Sequence, residues 1–324
     1  MSRKITLISW LAGLALGFLV LTSGAMAHEP HKITLLAGFP GWDHLMPFLA
    51  HDRNLGFWKR YGLDVDFKAG NYLRTWQTAQ SGRWDAAYLT LGHPFILNDR
   101  GVTTKFAAST LYGAAVVAAH DSIKSPQDLK GKTAGIITPR NWLYYIFKFL
   151  ILPAHGLKPD DMKYRRIPVN EGGLILSRNE IQAYYMFEPQ GTNYANSPNV
   201  KILWDWREVC CNGEVYRNAL VINGKFLEEH PDLVRKVVWA HLDGMNFIEK
   251  SPEAAASIMH RESRIPLKAV IVARDKSGRD RRKIPLDFIQ MGLDGYKRIG
   301  WIKKAFKAKD LVDYSFQKGY TYKP

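Results

Sequence analysis

The sequence predicts an α/β protein built as two lobes, each with its own sheet. Strand-like and helix-like segments alternate at short spacing from residue 32 onward, the pattern of an α/β layer. The order strand–helix–strand–helix–strand over residues 32–90 recurs over residues 133–187. One local device closes both runs. In "SGRWDAAYLT" (81–90) a helix breaks at Ser81-Gly82, Asp85 follows, and a strand begins. In "SRNEIQAYYMFEP" (177–189) Ser177 and Gln182 stand where Ser81 and Asp85 stood. At 324 residues and 46% hydrophobic, the chain is long enough for two ordinary cores.

Taken in order, "KITLLAG" (32–38) is the first strand, and a Gly-Pro loop then opens a helix ending near Gly56. "DVDFKAG" alternates apolar and polar residues as a half-buried strand does. A helix from about Leu73 to Ser81 leads to the strand "DAAYLT"; "LGHP" turns into another helix, and "TTKFAAS" (103–109) follows. "GAAVVAAH" (113–120) is a strand. In "SPQDLKGK", Ser125 suits an N-cap, Pro126 the first helical position and Asp128 a capping box, with Gly131 as terminator. "TAGII" (133–137) is a strand, "TPRNWLYYIFKFLILPAHGL" one long helix, "DMKYRRIPV" a strand, and a helix near 172–179 leads to "IQAYYMF". After the strand "RNALVING" (217–224), Val234, Val238, Leu242, Met245 and Ile248 fall on one helical face. Ser251-Pro252 starts a further helix.

The first 27 residues read as a cleavable signal peptide. Arg3 and Lys4 precede a long apolar stretch, and Ala25-Met26-Ala27 supplies small residues for cleavage. An uncleaved anchor is the alternative. The mature chain then begins at His28 and is exported to the periplasm. The net charge of +15, of which Arg3 and Lys4 contribute two, would suggest nucleic acid in a cytosolic protein. In an exported one it points to anionic ligands, an anionic membrane face or solubility, and no nucleic-acid partner is expected. The basic run 274–283 reads as a solvated loop. Cys210 and Cys211 are adjacent, with Cα atoms about 3.8 Å apart, shorter than bridges prefer; they read as buried free thiols, with a vicinal disulfide or a ligand contact as minority alternatives.

"GFWKRYGLDVDF", "SGRWDAAYL", "DLKGKTAGI", "HGLKPDDMKY", "YYMFEP" and "NALVINGKFLEEHPDLVRKVVWAHLDGMNFIEKSPEAA" occur in that order. Together they resemble the periplasmic solute-binding proteins of ABC importers for nitrate, sulfonate, taurine and thiamine-pyrimidine precursors. The likeness runs from about residue 33 to about 260. It implies a type II-like periplasmic-binding-protein fold whose two lobes close on a ligand. The repeated strand–helix order and the boundary strands "GAAVVAAH" and "RNALVING" divide the chain into 30–112 with 224–324 for one lobe and 113–223 for the other. The resemblance also implies a small-molecule ligand, a partner ABC permease and a monomer. Two departures touch the cleft: Gln182 replaces the acid usual there, and "TPRNW" replaces the small hydroxyl residues that often follow "GI".

In such sheets ligands sit beyond the carboxyl ends of strands, at helix N-termini. That rule selects Phe39, Trp42, Thr90 and His93 in the first lobe. In the second it selects Thr138, Arg140, Asn141, Trp142, Phe187 and Glu188. Trp42 and Trp142 suit packing as well as a ligand platform, and His93 before Pro94 suits a turn. Arg140 at a helix start opposes the dipole, which favours a role in pairing with an anion. Glu188 suits a ligand cation or a neighbouring base. Asp85 reads as structural.

No G-x-S-x-G, H-E-x-x-H or phosphate-cradling glycine loop occurs. "HEPH" (28–31) has the wrong spacing for a zinc helix, and the cysteine pair lacks zinc-site spacing. No metal or cofactor is expected. The reading is therefore a binding protein for a small anionic or aromatic ligand. The alternative is an enzyme, including the thiamine-pyrimidine synthases within the resembled family; those carry a Cys-rich stretch, which "CCNG" (210–213) in this chain is too short to match.

Overall fold

The computed structural model describes residues 31–38, 41–110, 115–206, 211–274 and 282–322. The signal peptide, Phe39, Cys210 and most of the basic run 274–283 lie outside the described residues. Residues 32–324 form one compact unit, and its strands fall into two five-stranded sheets.

The first sheet contains β1 (Ile33–Ala37), β2 (Val65–Ala69), β3 (Ala86–Thr90), β4 (Thr104–Ser109) and β10 (Asn218–Asn223), in the order β2-β1-β3-β10-β4. The second contains β5 (Ala115–His120), β6 (Thr133–Ile136), β7 (Lys163–Arg166), β8 (Ala183–Phe187) and β9 (Val200–Asp205), in the order β7-β6-β8-β5-β9. Each sheet has one antiparallel strand, in the fourth place. It is β10 in the first sheet and β5 in the second, each the first strand after the chain crosses from the other sheet. Both carry a register shift against the neighbouring edge strand, at Leu220/Val221 and at Val117/Ala118.

The paired motifs occupy equivalent places. The Asp85 carboxylate accepts the Thr34 N–H at 2.8 Å, while the Asp85 N–H donates to the Thr34 carbonyl at 3.0 Å. The Gln182 side-chain oxygen accepts the Thr133 N–H at 3.1 Å, and the Gln182 N–H donates to the Thr133 carbonyl at 2.9 Å. Each side chain satisfies a backbone donor at the start of the adjacent strand, where the ladder has no partner for it. That task needs one acceptor oxygen and no charge, so Gln182 replaces an acid without altering the architecture.

Most expected elements form near their expected bounds. The 3-10 turn Pro126–Leu129 carries the Ser125/Asp128 capping box, and Val234, Val238, Leu242, Met245 and Ile248 are all buried on the helix Pro231–Lys250. Three differences have physical causes. The strand β9 was not expected: "NVKILWD" follows the Ser197-Pro198 turn and is selected by pairing with β5. The long helix starts only at Trp142, because Asn141 caps it by accepting from the N–H groups of Leu143 and Tyr144; it then passes through a π-helical stretch, Phe147–Ile151. Cys211, expected as a free thiol, is disulfide-bonded. Adjacency in sequence disfavours a bridge between two cysteines but does not forbid one.

One apolar core lies on the outer face of β1, β3 and β10, under the helices Leu45–His51, Pro231–Lys250, Pro252–Ser263 and Leu267–Arg274. The other is continuous through both sheets and includes Phe288, Ile289, Leu293 and Tyr296 of the helix Leu286–Arg298. That helix approaches Trp142 closely because Gly292 has no side chain. A Cβ there would stand 2.9 Å from both Phe95 and Trp142 ring atoms. Gly292→Val should therefore overpack the junction and cost about 1–3 kcal/mol, read as a lowered midpoint in urea unfolding; an unchanged midpoint would show that the junction yields freely.

Candidate functional site

A cavity of about 750 Å³ opens between the two sheets. It lies where the carboxyl ends of the parallel strands converge, the expected ligand position for open α/β sheets. The first sheet contributes Gly38 after β1 and residues 71–73 after β2. The second contributes Ile137 after β6, residues 166–170 at the end of β7, and Phe187, Gln190 and Asn193 at and beyond β8. Arg217, just before β10, and residues 263–265, at the C-terminal end of the helix Pro252–Ser263, complete the wall with His44. Aromatic and aliphatic side chains dominate the lining, and cations and amides punctuate it; no aspartate or glutamate is among the described lining residues.

Arg217 is the best-anchored of these groups. Its guanidinium forms a two-point ion pair with the buried Asp43, whose carboxylate also accepts from the Asn218 amide. The same guanidinium lies 4.6 Å from the centre of the Phe187 ring. Charge-assisted fork contacts of this kind are strong and directional, so Phe187 and Arg217 present a fixed surface to the cavity.

Of the residues selected from sequence, Phe187 lines the cavity directly. Thr90, His93, Thr138 and Asn141 gather behind Tyr72, a lining residue. The Tyr72 hydroxyl lies 2.6 Å from His93 Nε2, and burial pushes its phenol up to about 12, against the opposing effect of Thr138, Asn141 and Thr90 close by. His93 is stacked on Trp76 with ring centres 4.0 Å apart. Burial, with His44 nearby, lowers its pKa to about 3, so the imidazole is neutral at physiological pH.

The others stand away from the cavity lining. Trp42 is fully buried and donates to the Val270 carbonyl at 3.1 Å. Trp142 is fully buried, donates to the Tyr216 carbonyl at 2.8 Å and stacks on Tyr145. Both are packing residues with satisfied indole N–H groups. The Glu188 carboxylate accepts from the Thr192 N–H and hydroxyl at 2.9 and 2.8 Å. Arg140 is exposed, with φ of 60°, and its carbonyl accepts from the Tyr296 hydroxyl at 3.3 Å. Sequence reasoning did not select Tyr72, Arg166, Arg217 or Arg264. The strand-end rule extends to β2 and β7, which would have reached Tyr72 and Arg166. Arg217 and Arg264 precede a strand and follow a helix, where that rule gives no signal. Among the described residues no group of His, Cys, Asp and Glu is arranged to hold a metal.

Two measurements probe this core. Asp43→Ala leaves the buried Arg217 charge uncompensated and should cost about 3–5 kcal/mol in urea unfolding; a loss below 1 kcal/mol would mean that the pair behaves as a solvated one. Stability should also fall with acid. His93 and His241 have folded pKa values near 3 and 4, below the ordinary 6.5. Burial holds His241 neutral, against the opposing effect of its Nε2–H bond to the Ser109 carbonyl at 2.8 Å, while Nδ1 lies 2.9 Å from the Tyr88 hydroxyl. Between those values the unfolded chain takes up protons that the native chain refuses. The stabilisation is complete above about pH 6.5 and declines as pH falls towards about 4. His93→Gln and His241→Gln should each flatten that decline; parallel profiles would assign it elsewhere.

Residues 43–255 match the NMT1/THI5 like family model. No curated protein sequence matches the chain significantly. Among solved structures, the ligand-binding component of an ABC-type import system from Staphylococcus aureus, with zinc bound, superposes with a TM-score of 0.78 at 16% identity, covering 90% of this chain and 100% of that one. The alkanesulfonate-binding protein SsuA from Xanthomonas axonopodis pv. citri, bound to MOPS, gives 0.74 at 12% identity over 89% and 99%. The desulfurization enzyme DSZB gives 0.63 at 14% identity over 88% and 97%, so the same fold supports catalysis as well as binding. With the family model covering well over half of its length, the chain belongs to the NMT1/THI5-like family.

Proposed function

We propose that the protein is an exported solute-binding protein that captures a small organic ligand, anionic or aromatic, and delivers it to an ABC import permease. The observation that carries this reading is the cavity itself. It is assembled from loops of both sheets, has a volume suited to a small organic molecule, and is lined by Tyr72, Ile137, Ile167 and Phe187 with arginines beside them. The leader at residues 1–27 supports export to the periplasm, and the fold is shared with binding components of import systems. In this reading the lobes are 30–112 with 224–324, and 113–223. They move against each other at the two crossings between the sheets, and the protein acts as a monomer.

The test is to purify the mature chain and identify any retained small molecule by native mass spectrometry. The released ligand is then titrated back by calorimetry beside a turnover assay. Saturable binding without chemical change is expected. Phe187→Ala should weaken binding about tenfold, through loss of an aromatic contact of about 1–1.5 kcal/mol. Conversion of the ligand into product would replace this reading with the enzymatic one.

A further inference from the structure

We propose that Arg166 and Arg264 form a two-sided clamp for the anionic end of the ligand, so that the cavity selects organic anions with an apolar body. The inference rests on the cavity being the ligand site. Each half of the molecule contributes one arginine. Arg166 ends β7 of the second sheet, and Arg264 follows the helix Pro252–Ser263, which packs on the core of the first. Both line the cavity and both are exposed. Among the described residues neither side chain has an ion-pair, hydrogen-bond or cation–π partner, whereas Arg217 is already paired with Asp43. With no acid in the described lining, the charge of these two arginines is left for a ligand. An exposed, hydrated guanidinium gains a carboxylate, sulfonate or phosphate at little desolvation cost and in a fork geometry.

A second, independent feature concerns Arg264 alone. Its φ is +59°, a left-handed helix-terminal position that glycine or asparagine occupies with less strain. Glycine fills nine other positive-φ positions among the described residues. An arginine kept at a site where its side chain costs stability is accounted for when that side chain has a task. Arg140 shares the conformation but does not line the cavity, so it is the cavity that separates the two.

The experiment uses a matched dye pair, 1-anilinonaphthalene-8-sulfonate and its uncharged counterpart N-phenyl-1-naphthylamine. Each is titrated by fluorescence into the mature chain and into Arg166→Gln, Arg264→Gly, the double variant and Val169→Trp, which fills the cavity. Near-UV circular dichroism establishes that each variant is folded. The sulfonate should bind wild type about tenfold or more tightly than the neutral dye, and each arginine variant should remove about tenfold from the sulfonate alone. Added salt should weaken the sulfonate and spare the neutral dye. Arg264→Gly should lose sulfonate affinity while its Tm rises, a divergence that a purely structural arginine would not produce. Val169→Trp should abolish both. Equal affinity for the two dyes, or sulfonate binding that neither arginine variant changes, overturns the clamp while the loss in Val169→Trp keeps the cavity as the binding site. Binding of neither dye, or binding that survives Val169→Trp, overturns the clamp together with the cavity reading.

Discussion

The geometry of the cleft depends on the ion pair between Arg217 and Asp43. The two residues are 174 positions apart, and both side chains are buried. Asp43 follows β1 and Arg217 precedes β10, so the pair fixes the loop at one strand end against the chain entering another. The guanidinium face then meets Phe187 at the end of β8 in the opposite sheet. One planar cation thus holds three segments and both sheets. Burying two charges is expensive, and such a pair adds little net stability over an apolar replacement. What it imposes is position, because two parallel hydrogen bonds fix both the distance and the plane. Trp42, adjacent to Asp43, is tied by its N–H to the Glu188 carbonyl and by its indole to Val270, which continues the same line of contacts.

The two sheets repeat one plan down to single hydrogen bonds. Asp85 and Gln182 do the same work at the start of β3 and β8, and the register shifts in β10 and β5 fall at matching points. The repetition explains the location of the cavity. Two sheets of like topology, with the carboxyl ends of their parallel strands converging, leave loops and helix starts facing one another. The symmetry ends at the junction, where the helix Leu286–Arg298 packs on Trp142 and Phe95 and joins both sheets through one apolar core. Gly292 and Gly295 make that approach possible, since a Cβ at either would run into an aromatic ring or hydroxyl.

Much of this plan is legible in the sequence. Alternating or β-branched runs mark most of the strands, and Asp85 and Gln182 mark the repeat. The strand β9 was hidden because an edge segment such as "NVKILWD" shows its state only when β5 pairs with it. The site was less legible. Strand-end reasoning reached Phe187 and the residues behind Tyr72, but tryptophans near strand ends cannot reveal which way they face. Trp42 and Trp142 turn inward because each indole N–H finds a carbonyl, in Val270 and Tyr216, far along the chain. Arg140 reads as a cation at a helix start, yet the helix begins two residues later at Trp142, behind the Asn141 cap. The lining residues supplied by helix ends and crossings, Arg217 and Arg264 among them, carry no local signature because only tertiary packing brings them to the cavity.

The charge state of the groups around the cavity follows from their solvation and pairing. His93 and the Tyr72 hydroxyl are neutral, and burial moves both pKa values away from ionisation at physiological pH. An unpaired charge at that depth would forfeit its hydration with nothing to replace it. Arg217, buried like His93, has the Asp43 carboxylate built against it. Arg166 and Arg264, exposed to water, need no built-in partner. On the proposed reading, a ligand's apolar body would gain by burial against Phe187 and Ile167 and its charged end by remaining among hydrated cations. The overall excess of basic residues does not produce this arrangement, since it acts on every face of the molecule. The order of neutral, paired and solvated groups along one cavity does.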